Sequence, residues 1–123
     1  MTILYVQIRK NQMTVRNPET RQEFRDSSQV FSNSRLLVAD FFRAEKVLQD
    51  LAHKFIKRGW FTFGQDVLVM HALEMNEGGL SQVEERILLE ITVAASPRAR
   101  LIIIEHSRVL VDAEVIELAR KKR

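Results

Sequence analysis

The stretch NEGGLSQVEER, residues 76–86, has the outline of a loop that could hold a phosphate: two adjacent glycines leading into the start of a helix. A phosphate cradle needs backbone amides, a basic partner and no crowding anions. Here Glu74 and Glu77 precede the glycines and Glu84 and Glu85 follow them, with no lysine where a P-loop places one. Four carboxylates would repel a phosphate. Ser81 and Glu84 instead stand at capping-box spacing, and Gly78 and Gly79 permit the tight turn that enters the cap. The stretch therefore reads as a capped turn.

The other reactive side chains are scattered. His53, His71 and His106 have no second histidine or cysteine at ligand spacing, so no metal site is expected. His71 reads as a partly buried core histidine within a strand. The chain contains no G-x-S-x-G nucleophile elbow, and its paired acids, Glu84-Glu85 and Glu114 with Glu117, fall on solvated helix faces. Neither a catalytic residue nor a cofactor or metal site is expected, and the protein is not expected to be an enzyme. Two surfaces are candidates for binding. One is the aromatic GWFTFG segment, with Trp60, Phe61 and Phe63, although aromatics also simply cover the end of a core. The other is a basic surface of Arg9, Lys10, Arg16, Arg21 and Arg25.

Charge sharpens the second candidate. Residues 1–35 hold six basic side chains against three acids, and the remaining residues hold thirteen of each sign, so the whole net charge of +3 sits in the N-terminal third. Spread over strands, that excess fits a solvated sheet edge, because a nucleic-acid footprint clusters cations with stacking aromatics. The 123 residues make one domain, 1–123, large enough to bury a core without staples, and there is no cysteine to form a disulfide. The opening MTILYVQIRK lacks a basic leader and a long apolar run, so neither a signal peptide nor a membrane span is expected; the location expected is cytoplasmic.

The elements that position these groups follow from periodicity. TILYVQIR alternates, with Leu4, Val6 and Ile8 on one face and Ile3, Tyr5, Gln7 and Arg9 on the other. MTVRN continues as a hairpin partner, and RQEFRD returns as a polar edge strand. From Phe42 to Ile56 the apolar spacing becomes helical, with Asp40 as N-cap and Lys54, Lys57 and Arg58 in the last turn before Gly59. DVLVMHAL is a buried strand. A second helix spans Gln82 to Ala95 with Val83, Ile87, Leu88, Ile91 and Ala95 inward, and Ser96-Pro97 stops it. RLIIIE, the most apolar run, is expected to be a central strand. Asp112 is expected to cap a short final helix with Val115, Ile116 and Ala119 inward. The fold class is α/β: a mixed sheet with an N-terminal hairpin or meander, then alternating helix and strand.

Two stretches, LLVADFFRAEKVLQDL and DVLVMHALEMNEGGLSQVEERILLE, carry a family likeness. With ADFFRAEKVL, SQVEER and RLIIIEH in that order, the chain resembles the first subdomain of the actin-like MreB family. Its EKVLQDL and ALEMNEGGLSQVEERIL segments are also similar to a family of small enterobacterial stress-associated proteins. The first resemblance implies an actin-like, ribonuclease-H-like topology; the second implies a stress-associated protein without catalytic residues to carry over. The actin-like turn D-L-G-T, which holds phosphate and metal, is matched here by Gln7-Ile8-Arg9-Lys10, and residues 2–16 contain no acid. Ribonuclease-H-like nucleases likewise need an Asp on the first strand for their metal pair. The expectation is a degenerate domain without nucleotide hydrolysis that acts by protein contact, through an open sheet edge or the 60–63 aromatics, with a homodimer among the options. The alternative is nucleic-acid binding through the basic hairpin.

Overall fold

The computed structural model describes residues 2–55, 66–74, 80–105 and 108–121. Strand β1 (Ile3–Arg9) turns through Lys10 and Asn11 into β2 (Gln12–Arg16), and β3 (Glu23–Asp26) follows. Helix α1 (Phe41–Ala52) leads to β4 (Val67–Ala72), α2 (Gln82–Ala95) to β5 (Arg100–Ile104), and α3 (Asp112–Arg120) comes last. The strands form one five-stranded mixed sheet in the order β3-β2-β1-β4-β5. β1–β2 and β2–β3 are antiparallel, while β1–β4 and β4–β5 are parallel, so β2 alone runs against the other four.

The alternation in β1 divides the core. Leu4, Val6 and Ile8 pack with Met13, Val15, Leu68 and Met70 beneath α1 and α2. Ile3 and Tyr5 pack with Val67, Val69 and Ile104 against Val115 and Ala119 of α3. β1 and β4 are buried almost throughout because they have a strand on each side and helices over both faces. α1 lies over β2 and β3, and α2 lies beside α1 over β5.

Caps set the helix starts. The Asp40 carboxylate accepts the Arg43 amide at 3.1 Å. The Ser81 box is complete: the Glu84 amide donates to Ser81 Oγ at 3.2 Å, and the Ser81 amide donates to Glu84 Oε1 at 2.9 Å. Phe31 is buried, and its carbonyl accepts the amides of Ala39 and Asp40, which fixes the entry to α1.

Four details differ from the sequence reading. α1 stops at Ala52, because the Lys54 and Phe55 amides bond three residues back, to Leu51 and Ala52, and tighten the chain out of the helix. Lys54 is thus freed from the last turn and lies over the Phe24 ring of β3, 5.2 Å from its centre; Ile56, Lys57, Arg58 and Gly59 lie outside the described residues. On α2, Val83 is exposed and Thr92 is buried in the inward stripe, where its hydroxyl is satisfied by donating to the Leu88 carbonyl at 2.8 Å. α3 begins after Val111 with no side-chain cap; Asp112 is its first residue and turns instead to Arg16, while Ile116 is only half-buried. Finally, RLIIIE is an edge strand and not a central one. Its apolar run reflects two covered faces, with Leu101 and Ile103 toward α1 and α2 and Ile102 and Ile104 toward α3.

Candidate functional site

Gln7 of β1 lies in a polar row across the sheet on the α3 side. Register sets Arg25 of β3 beside Thr14 of β2, Thr14 beside Gln7 of β1, and Gln7 beside His71 of β4. Thr14, Gln7 and His71 are buried. Arg9, two residues along the same face, donates from Nη1 to Gln7 Oε1 at 2.9 Å. Gln7 therefore accepts a cation's hydrogen bond and brings no negative charge.

His71, expected to be a partly buried core histidine, is fully buried, and it has a partner the sequence reading missed. Its Nδ1 lies 2.7 Å from Tyr5 Oη, which also accepts the Leu110 amide at 3.0 Å. The Tyr5 oxygen thus joins a side chain of β4 and a backbone amide ahead of α3. Burial pushes the Tyr5 phenol above its usual value, against the pull of the Leu110 amide. The pair ties β1 and β4 to the chain entering α3. The signal was present: Tyr5 and His71 share the inward parity of paired strands, but the pairing itself is not written in either segment.

Carboxylates are dispersed around this row. Glu74 caps the β1–β2 turn by accepting the Lys10 amide at 2.6 Å, and Asp66 accepts the Thr2 amide at 3.0 Å. Asp112 is held by Arg16, through Nε at 2.7 Å and Nη2 at 2.9 Å. Those bonds hold the Asp112 carboxyl below its ordinary range and raise the Arg16 guanidinium further above its own. Among the described residues no three His, Cys, Asp or Glu side chains come together as a metal set.

The basic candidates are divided by these contacts. Arg16 is bound to Asp112 and, at 3.3 Å, to Glu23. Arg21, with a positive φ of 68°, reaches toward Asp112 from the β2–β3 turn. Arg9 sits on Gln7, and Lys10 and Arg25 are exposed. Arg9, Arg16 and Arg25 share one face of the sheet by register, while Lys10 and Arg21 lie in turns. Trp60, Phe61 and Phe63 lie outside the described residues, as do Glu77, Gly78, Gly79 and His106.

The sheet edges are the remaining candidates, and they differ. β3 is four residues long, EFRD, with three of its side chains exposed. β5 is RLIII, apolar after its first residue, and among the described residues pairs only with β4.

These features define an α/β protein with a five-stranded mixed sheet and three helices, in which no helix of the described residues is long and apolar enough to cross a membrane. The sequence is 47% identical over 128 residues to the Escherichia coli (strain K12) protein described as "Uncharacterized protein YjaA", covering 99% of this chain and 100% of that one. The chain belongs to the YjaA family. No family model matches the sequence. No solved structure matches it either.

Proposed function

We infer that this is a non-catalytic protein that acts by protein contact, built on a degenerate actin-like, ribonuclease-H-like domain. The strand order, with only β2 reversed and a helix after each of β3, β4 and β5, supports that topology. The acid that such a domain needs on its first strand for metal-dependent chemistry is replaced by Gln7, already engaged by Arg9. Fold alone assigns no activity, so the reading rests on the site. Association with stress responses is part of the proposal and rests on the family likeness alone.

The observation that carries the contact reading is the position of β5. The most apolar strand lies at an edge left open among the described residues, where natural sheets usually place charge, proline or a bulge. An edge of this kind offers main-chain hydrogen bonds together with apolar side chains, which is the chemistry of strand addition. Calorimetry with ATP and magnesium tests the non-catalytic half: no binding is expected, and tight magnesium-dependent binding overturns it.

A second reading has one observation in its favour, the common face of Arg9, Arg16 and Arg25. With Arg16 committed to Asp112, four of the five candidate cations remain to meet phosphates, so nucleic-acid binding would show a log–log salt slope no steeper than about −4. No binding to single- or double-stranded DNA or RNA at low salt removes this reading.

A further inference from the structure

The open edge of β5 has a definite polarity. The Arg100 amide donates to the Asp66 carbonyl, and in the parallel ladder with β4 the amides of Ile102 and Ile104 point the same way. Leu101 and Ile103 therefore direct their amides and carbonyls outward. The side chains around this edge are apolar on both faces. On one face α2 lies with α1 on its inner flank, and Leu89 and Val93, 44% and 48% exposed, point away from the buried stripe of Leu88, Ile91, Thr92 and Ala95.

We propose that β5 pairs antiparallel with β5 of a second copy of this chain, joining two five-stranded sheets edge to edge. The proposal rests on the contact reading above and names its partner. A two-fold axis relating antiparallel edge strands stands perpendicular to the sheet, so each residue must meet one that points to the same face. The register centred on Ile102 satisfies this and pairs the whole strand: Ile102 with Ile102, Leu101 with Ile103, Arg100 with Ile104. Shifting by the next permitted step sets Leu101 against Glu105 and leaves Arg100 beyond the paired strand. In the centred register Leu101 and Ile103, whose polar groups point outward, exchange the hydrogen bonds. Ile102 meets itself at a non-hydrogen-bonded position.

Charge favours a second copy in this orientation. Arg98 and Arg100 stand at the start of the strand and Glu105 at its end, with Arg98 and Glu105 exposed. Arg100 also donates to the Ala119 carbonyl, which holds it at this end of the sheet. Antiparallel pairing brings the Glu105 end of each copy beside the Arg98 end of the other, while Arg100 points to the opposite, α3 face. A parallel arrangement would set like charges side by side. The two ends are equivalent by symmetry, so each copy both gives and receives the same contact.

The absence of cysteine makes the test direct. In Ile102→Cys the two Cα atoms would lie about 4.5 Å apart, inside the range a disulfide spans. Mild oxidation is expected to give a covalent dimer, whereas Phe24→Cys, on the β3 edge, should give none. Sedimentation of the wild type should show a dimer. Arg98→Glu should weaken association by about fivefold to tenfold, and adding Glu105→Arg should restore it. Because both positions are exposed, the charge exchange stays readable if the cysteine variant folds poorly. A monomer at the highest soluble concentration, with no crosslinking of the Ile102→Cys variant, overturns self-pairing. If that monomer also fails to bind magnesium-ATP, only the self-pairing falls; if it binds tightly, the non-catalytic reading falls with it.

Discussion

The two edges of the sheet are built from opposite chemistry. β3 presents Glu23, Phe24, Arg25 and Asp26, is four residues long, and has its one aromatic in contact with Phe55 and the Lys54 ammonium. β5 presents Leu101, Ile102, Ile103 and Ile104 after its single charged residue, Arg100. The neighbouring attachments differ as well. The β2–β3 side is tied to α3 by ion pairs, Arg16 with Asp112 and Arg120 with Glu19, while β5 is held mainly by apolar packing between α2 and α3. A charged, short edge resists pairing with another strand, and an apolar one invites it. One sheet thus carries a blunted edge and an adhesive edge. On the proposed contact reading, the difference favours β5 over β3 as the contact edge.

The largest expected effect separates the sheet centre from this edge. Leu68→Ala, in fully buried β4, should cost about 2–5 kcal/mol in urea unfolding. Ile103→Ala, on half-buried β5, should cost roughly half as much in the monomer. Equal losses would mean that β5 is held as a central strand is. Next, Arg16→Ala should destabilise by about 1 kcal/mol through loss of a pair whose side chains are 27% and 25% exposed. This contribution has a defined pH window. Because the folded-state value of Asp112 is lowered, the stability it supplies is present above the unfolded value, about 3.9, and is lost as pH falls through the folded value. The gap between wild type and Asp112→Asn should therefore close in acid, and a gap that persists there would assign it to packing.

Ser81→Ala should cost about 1 kcal/mol by removing the cap of α2, the helix that covers β5. Melting of that variant should release β5 before β3, a difference that site-resolved amide exchange would show. The smallest stability effect belongs to Arg25→Val, within about 0.5 kcal/mol because the side chain is exposed. That change makes β3 resemble β5, so light scattering should report new self-association. If solubility is unchanged, charge is not what protects the β3 edge.

Much of this arrangement was legible in the residues. The alternation of β1 correctly assigned Leu4, Val6 and Ile8 to one core and Ile3 and Tyr5 to the other, and the Ser81–Glu84 spacing specified its cap. Local chemistry writes such features directly into the chain. What remained hidden depended on neighbours distant in sequence. The apolarity of RLIIIE reports that its two faces are covered and says nothing about how many strands flank it. Asp112 has the type of a cap, but Arg16, brought beside it by the sheet, competes for its carboxylate. His71 likewise acquired Tyr5 only through the parallel pairing of β1 with β4. The candidate contact at 60–63 lies outside the described residues, so the contact reading now stands on β5 alone.

Amide hydrogen exchange at Leu101 and Ile103, compared with the Glu23–Asp26 strand as protein concentration rises, tests the central claim most directly. The account predicts that the two β5 amides become progressively protected while β3 exchange stays constant. Exchange at both edges that is equally fast and independent of concentration would contradict it.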